Sequence, residues 1–229
     1  MPGDQSDVAA VAVLADPTRR ALHAFVRRAR EPVTREQAAA AVGISRKLAA
    51  FHLDKMVAAG LLVADSHRAV RGVGRAPKAY RPSDRELRVA VPHRDYRLLA
   101  DLLTQAIVSE TSEENAHRAM LRIATEQGAA LGLRCRQDVR PGRLGAERAL
   151  SLLDDLLTRS GYEPYRPSPD CLRLGNCPFH ELAAAAPDAV CALNHAYLDG
   201  VLDGLQATAV RAELAPAPGD CCVEIRSRQ

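Results

Sequence analysis

Five of the six cysteines in this 229-residue chain fall within its last 59 residues. They run Cys171-x5-Cys177-x13-Cys191-x29-Cys221-Cys222, with Cys135 standing apart. His180 follows Cys177 by three residues, and His195 follows Cys191 by four, one helical turn further on. Thiolates are soft ligands. Three or four drawn together suit an iron–sulfur cluster, whereas cysteines and histidines closing a tetrahedron suit zinc. These intervals are those of neither a ferredoxin nor a zinc finger, so spacing alone leaves both open. A lone cysteine is ordinarily a small buried hydrophobe. Cys135 reads that way, and Cys171, in an alternating segment, reads as core or ligand equally. Alternation also sends the adjacent Cys221 and Cys222 to opposite faces of a strand, so one of them is expected at a given site. His180 and His195 read as surface or core histidines or as further ligands. The sequence has no H-E-x-x-H, no deaminase pairing, no phosphate loop and no nucleophile elbow. No catalytic residue is assigned, and the chain is not read as an enzyme.

The elements around these cysteines read as two hairpins and two helices. Residues 162–166 and 171–174 flank Pro167-Ser168-Pro169-Asp170, and residues 207–214 and 221–226 flank the turn at 216–220. Amphipathic helices are expected over 146–160 and from Pro187 to about Leu205. Hairpins with helices on one face make a small α+β sensor domain over 138–229, opening with the connector DVRPGRLG. Upstream, 93–137 holds two amphipathic helices. Leu98, Leu99, Leu102, Leu103 and Ile107 mark the first; Ser112 caps the second, with Met120, Ile123 and Ala124 inward. These are assigned to a homodimer interface, with part of each stripe read as intramolecular core.

Residues 33–62 read as two short helices joined by a tight turn. Thr34 and Gln37 form a capping box, Gly43 ends the first helix, and Ser45 caps the second. Leu48, Ala49, Leu53, Met56 and Val57 are expected on its buried face. This is a helix-turn-helix, preceded by a helix opening at Asp16-Pro17 and followed by a hairpin wing with strand-like ends at 61–64 and 79–81. The N-terminal unit spans 1–92. Its second helix offers Arg46, Lys47, Ala50 and Phe51 to a major groove, with Phe51 equally readable as core, and Lys55 to a phosphate. His52 reads as structural. The wing carries Arg68, Arg71, Arg75 and Lys78 with no acidic residue among them.

Charge divides along the same line. Residues 1–92 hold 16 Lys and Arg against 9 Asp and Glu, and residues 93–229 hold 15 against 19. A basic reader of double-stranded DNA joined to a mildly acidic body fits this balance. No apolar run approaches a membrane span, and the N-terminus lacks the basic start of a signal peptide. A cytoplasmic location with reduced thiols is expected.

LADPTRRAL, ISRKLAAFHLDKMVAAGLL and GVGRAPKAYR resemble the winged helix of ArsR-like bacterial regulators, including the His52-Leu53 pair. ELRVAVPHRDYRLLADLLTQAI and NCPFHELAAAAPDAVCALNHAYLDGVLDGL, followed by GDCCVEI, are similar to SufR-type regulators. That resemblance implies an iron–sulfur cluster, [4Fe-4S] or [2Fe-2S], held by Cys177, Cys191 and Cys222 or Cys221. It also implies a repressor whose DNA affinity follows cluster state. Two departures stand out. Pro164 lies near where family members with four cysteines have another, and the last cysteine lies farther along. The fourth ligand is therefore open among Cys221, Cys171, His180 and His195. Zinc, a thiol redox switch, or a metal-free pocket for an apolar small molecule are the alternatives. The fold expected is α+β and mostly helical: a winged helix, central dimerisation helices, and a small domain with antiparallel strands.

Overall fold

The computed structural model describes residues 2–66, 78–111 and 114–228, with side chains from residue 6 onward. The chain divides into two compact units, Met1–Val89 and Ala90–Gln229. Its class is α+β.

In the first unit, α1 (Pro2–Val13) precedes α2 (Pro17–Arg28). Asp16 caps α2, its Oδ1 accepting from the Arg19 amide at 2.9 Å, with Pro17 at the first helical position. The short strand β1 (Val33–Thr34) leads into α3 (Arg35–Val42), whose capping box between Thr34 and Gln37 is complete. Gly43, at φ +73°, turns the chain. Ser45 then caps α4 (Arg46–Ala58), accepting from the Leu48 amide at 3.2 Å. Strands β2 (Leu62–Ser66) and β3 (Lys78–Pro82) pair antiparallel, from Leu62 opposite Pro82 to Ser66 opposite Lys78. β1 adds to β3 through Val33 opposite Tyr80, giving the order β1-β3-β2. The core gathers Leu22, Val26, Leu53, Met56, Leu62 and Tyr80, and α1 contributes Ala10. The sequence of Val8–Leu14 reads as a helical turn or an arm; α1 is a longer helix there, and β1 had no signal of its own.

The second unit opens with α5 (Tyr96–Val108), capped by Asp95, and α6 (Ala116–Val139). Ser112 lies outside the described residues; the cap of α6 is Asn115, whose Oδ1 accepts from the Arg118 amide at 2.9 Å. Next come α7 (Ala146–Arg159), β4 (Pro164–Ser168), β5 (Cys171–Leu174), the one-and-a-half-turn α8 (His180–Ala185), and α9 (Pro187–Leu205). Strands β6 (Val210–Leu214) and β7 (Val223–Ser227) complete the chain. The two hairpins join through β5 and β7, also antiparallel, in the order β4-β5-β7-β6. Leu172, Leu174, Val223 and Ile225 belong to the apolar core shared with α7 and α9. Arg173, Glu224 and Arg226 form ion pairs on the other face, with Arg173 Nη2 2.8 Å from Glu224.

The central helices do not form a unit of their own. Leu99 and Leu102 of α5 and Met120, Ile123 and Ala124 of α6 belong to one core with the sheet and α9. The boundary expected at 137/138 is therefore absent.

Two glycine pairs decide how α6 meets α9. Gly128 and Gly132 lie one turn apart on α6, and Gly200 and Gly204 do the same on α9. A Cβ at Gly128 would sit 1.9 Å from the Tyr197 carbonyl oxygen, and one at Gly200 would sit 2.1 Å from that of Thr125. A Cβ at Gly132 or Gly204 would likewise fall 2.2 or 2.1 Å from the Val201 or Ala129 carbonyl oxygen. The helices meet backbone to backbone, closer than any side chain permits. Alanine ordinarily stabilises a helix over glycine by about 1 kcal/mol. Here Gly128→Ala and Gly200→Ala should instead destabilise the protein by roughly 1–3 kcal/mol or more, since the helices must part. Chemical denaturation monitored by circular dichroism reads the change, and a gain in stability would show the seam to be looser than described.

Candidate functional site

On α4 the buried stripe is Ala49, His52, Leu53 and Met56, at i, i+3, i+4 and i+7. Leu48, expected inside, lies at the stripe's edge and is exposed. Phe51 is 53% exposed, which settles its two readings in favour of the surface. Its ring carries the Lys55 ammonium 4.7 Å from its centroid and meets the His52 ring edge-on at 5.5 Å. His52 is buried, as expected of a structural residue, although its Nδ1 has no hydrogen-bond partner. Arg46, Lys47 and Lys55 are exposed and Ala50 is half-buried. The helix thus presents cations, an aromatic ring and an alanine on one continuous outer face.

Two of the cations already have acidic neighbours. Arg46 Nη2 lies 2.6 Å from Glu36 of α3, and the Lys78 ammonium pairs with Asp54 of α4. Tyr80 donates to the same Asp54 carboxylate at 3.1 Å; burial and that carboxylate push its phenol up to about 12. Exposed pairs of this kind are worth little. They hold the side chains in place and are readily exchanged for phosphates. Arg68, Arg71 and Arg75 lie outside the described residues.

The second constellation is built from sulfur. All six cysteines are free thiols. Cys177 follows the Gly175-Asn176 turn after β5, Cys191 lies on α9, and Cys221 and Cys222 stand just before β7. The Cys221 amide donates to the Leu174 carbonyl at 2.8 Å, which brings it beside the end of β5. The thiol of Cys177 meets that of Cys221, Cys221 meets Cys222, and Cys222 meets Cys191. Four sulfurs from three separate segments are therefore contiguous, three of them buried and Cys191 half-buried. The expectation that Cys221 and Cys222 diverge fails for a physical reason. They lie in the bend before the strand, where alternation has not begun.

The other three candidates lie apart from this contact chain. Cys171 begins β5 opposite Arg226, on the ion-paired face, with Glu224, Arg226 and Arg173 as its charged neighbours. β5 and β7 run antiparallel, so Cys171 and Cys221 lie at opposite ends of their pairing. His180 is exposed at the start of α8. His195 Nε2 lies 3.2 Å from the Ala212 carbonyl of β6.

Burial dominates the chemistry of the sulfurs. Contact with Cys221, reinforced by burial, pushes the Cys177 thiol well above its ordinary value. At Cys221, contact with Cys177 lowers the value while contact with Cys222 and burial raise it, leaving it at about 12. Burial raises Cys191 against a lowering contact with Cys222. These are protonated thiols, and a metal binding here must displace their protons. Among the described residues, no three His, Cys, Asp or Glu side chains are disposed around one metal-ion position. The sulfurs form a string of neighbours rather than a closed tetrahedron.

Two polar residues that sequence reading passed over serve this cluster. Asn194, fully buried on α9, donates from Nδ2 to Cys221 Sγ at 3.2 Å. Its Oδ1 accepts from the Tyr162 hydroxyl at 2.7 Å, which fixes the amide's orientation so that the sulfur meets a donor. The available signal was an asparagine inside an apolar helix, three residues after Cys191.

Residues 14–63, from the end of α1 to the start of β2, match the family model of a helix-turn-helix domain. That segment carries a helix-turn-helix. The coarse function that follows is that of a DNA-binding transcriptional regulator. No curated protein and no solved structure matches the chain. No helix among the described residues is long and apolar enough to cross a membrane.

Arg46→Ala and Phe51→Ala should each weaken duplex binding by about tenfold, within the roughly 1–3 kcal/mol of a good groove contact. Their unfolding midpoints should stay unchanged, and fluorescence anisotropy beside thermal melts separates contact from core. Asn194→Leu should cost roughly 1–3 kcal/mol in denaturant unfolding, because the buried Tyr162 hydroxyl loses its acceptor. A neutral result would show that this hydrogen-bond chain is dispensable.

Proposed function

We propose that this chain is a transcriptional regulator whose affinity for its operator is set by an iron–sulfur cluster held in the second unit. The observation carrying the reading is the contact string Cys177–Cys221–Cys222–Cys191. One buried thiol is ordinary packing. Four in contact, drawn from a loop, a helix and a pre-strand bend, are a donor set. Soft sulfur-only donors fit an iron–sulfur cluster, which four cysteine thiolates can hold. A four-sulfur set is also a donor set for structural zinc, and the metal and sulfide analysis below separates the two. The four cysteines would hold the cluster, and Cys221 fills the place left open for a fourth ligand. When bound, the cluster supplies a redox- and oxygen-sensitive crosslink between β5, α9 and β7. Asn194 would donate to one ligand sulfur, and the apolar walls would exclude water.

The regulator acts as a homodimeric repressor in this reading. α5 supports it: Ile107 is 71% and Val108 80% exposed beside Leu103, while the apolar stripe of α6 is consumed within its own unit. A dimer presents two α4 helices to two half-sites on one face of the duplex.

The test is anaerobic purification of the full chain, with iron, acid-labile sulfide and zinc analysis and visible spectra. Iron and sulfide in equal amounts are expected, and both should be lost in Cys177→Ser and Cys191→Ser. Binding to a duplex selected by the protein from a random pool should change on chelation, and log affinity should fall with log salt by about 0.9 per phosphate neutralised. Zinc without sulfide would replace the cluster with a single ion. No metal, with air-sensitive DNA binding, would leave a thiol switch.

A further inference from the structure

The segment that enters the second unit is hydrogen-bonded to the loop carrying Cys177. The boundary between the units lies at Val89/Ala90, and α5 does not begin until Tyr96. Within that short link, Arg94 Nη1 donates to the Asn176 Oδ1 and, at 2.9 Å, to the His93 carbonyl; it also reaches the Cys177 carbonyl at 3.4 Å. Asn176 returns the contact, its Nδ2 donating to the His93 carbonyl at 3.0 Å and to the Gly161 carbonyl at 2.6 Å. The Asp95 amide donates to the Pro178 carbonyl at 3.1 Å, and the same aspartate caps α5. His93 packs against Gly161, where a Cβ would fall 2.1 Å from its Nδ1.

Three consecutive link residues thus grip three consecutive loop residues, 176–178, and the middle one is a sulfur donor. Asn176 is buried and spends both ends of its amide on this junction. That is more than packing requires. A loop with Cys177 on a cluster and the same loop with Cys177 as a free thiol will not hold Asn176 and Pro178 identically. Part of such a difference passes into His93–Asp95, which lie on the chain's path to the helix-turn-helix unit.

We infer that Arg94 and Asn176 are positioning residues that transmit the state of the Cys177 site toward the DNA-reading unit by clamping the first segment of the second unit, through which the chain arrives from that reader. The inference rests on the proposed function above. Effector and operator can be coupled only if the two states differ in free energy, and the clamp supplies contacts that distinguish them.

The test uses the full chain, anaerobically loaded or stripped with a chelator, on the selected duplex. In the wild type the two affinities should differ by an ordinary allosteric factor, roughly 5- to 150-fold. In Arg94→Ala and Asn176→Ala, iron and sulfide content should be unchanged, while the ratio of affinities falls to within about twofold of unity. Hydrogen exchange at residues 90–98 should slow on loading in the wild type and lose that response in both variants. A purely structural role would lower the melting temperature and leave the ratio intact, which would overturn the inference while leaving the proposed function standing. Equal wild-type affinities with and without the cluster would overturn both. If Arg94→Ala fails to load, Arg94→Lys, which keeps a donor for Asn176, is measured in its place. Failure of both to load would put the arginine in the binding site and overturn the transmitting role.

Discussion

The contact between α6 and α9 is what the second unit cannot do without. Four glycines let the two helices meet backbone to backbone, at separations where any Cβ would collide with a carbonyl. That close approach sets the depth and rotation of α9. α9 in turn carries Cys191 and Asn194 toward the bend before β7, where Cys221 and Cys222 wait. The rest of the thiol cluster is fixed by strand pairing. β5 runs into the loop of Cys177, and its last residue, Leu174, holds Cys221 by a backbone hydrogen bond. A seam of small residues and an antiparallel ladder thus bring the sulfurs together.

The same arrangement explains why the cluster is polar in so restricted a way. Its surroundings are Leu172, Phe179, Leu193 and neighbours of one apolar core, which favour neutral thiols. Against that background the Tyr162–Asn194–Cys221 hydrogen-bond chain directs a dipole at one sulfur, and the Phe179 and Val223 backbone amides direct theirs at Cys177 and Cys221. Arg94 reaches the Cys177 carbonyl and, by its charge, also lowers the Cys177 thiol, while Asn176 ties the same loop to His93 and Gly161.

Much of this was legible in the chain because local rules govern it. Asp16-Pro17, the Thr34/Gln37 box, Gly43 and Ser45 are short-range devices, and each forms as its residue types dictate. Pro187 and Leu205 bound α9 as its periodicity required. What was hidden depends on partners distant in sequence. The glycines of α6 and α9 look like weak points in helices until the facing helix is known. Leu48 fits a helical stripe by spacing, but the stripe closes on Ala49, His52, Leu53 and Met56 once α4 is packed. Cys221 and Cys222 obeyed strand alternation only on paper, because β7 begins one residue later. The stripe of α6 looked free to dimerise because its intramolecular partner, α9, lies about seventy residues onward, a loop whose closure costs entropy that no local pattern records.

X-ray absorption at the iron edge of the anaerobically purified protein examines the central claim most directly, because it sees what the sulfurs hold. The account predicts a first shell made of sulfur alone, with a second iron as the next neighbour, and loss of that signal when Cys221 or Cys222 is replaced together with Cys177. A first shell of nitrogen or oxygen, or a purified chain with no iron, would contradict it.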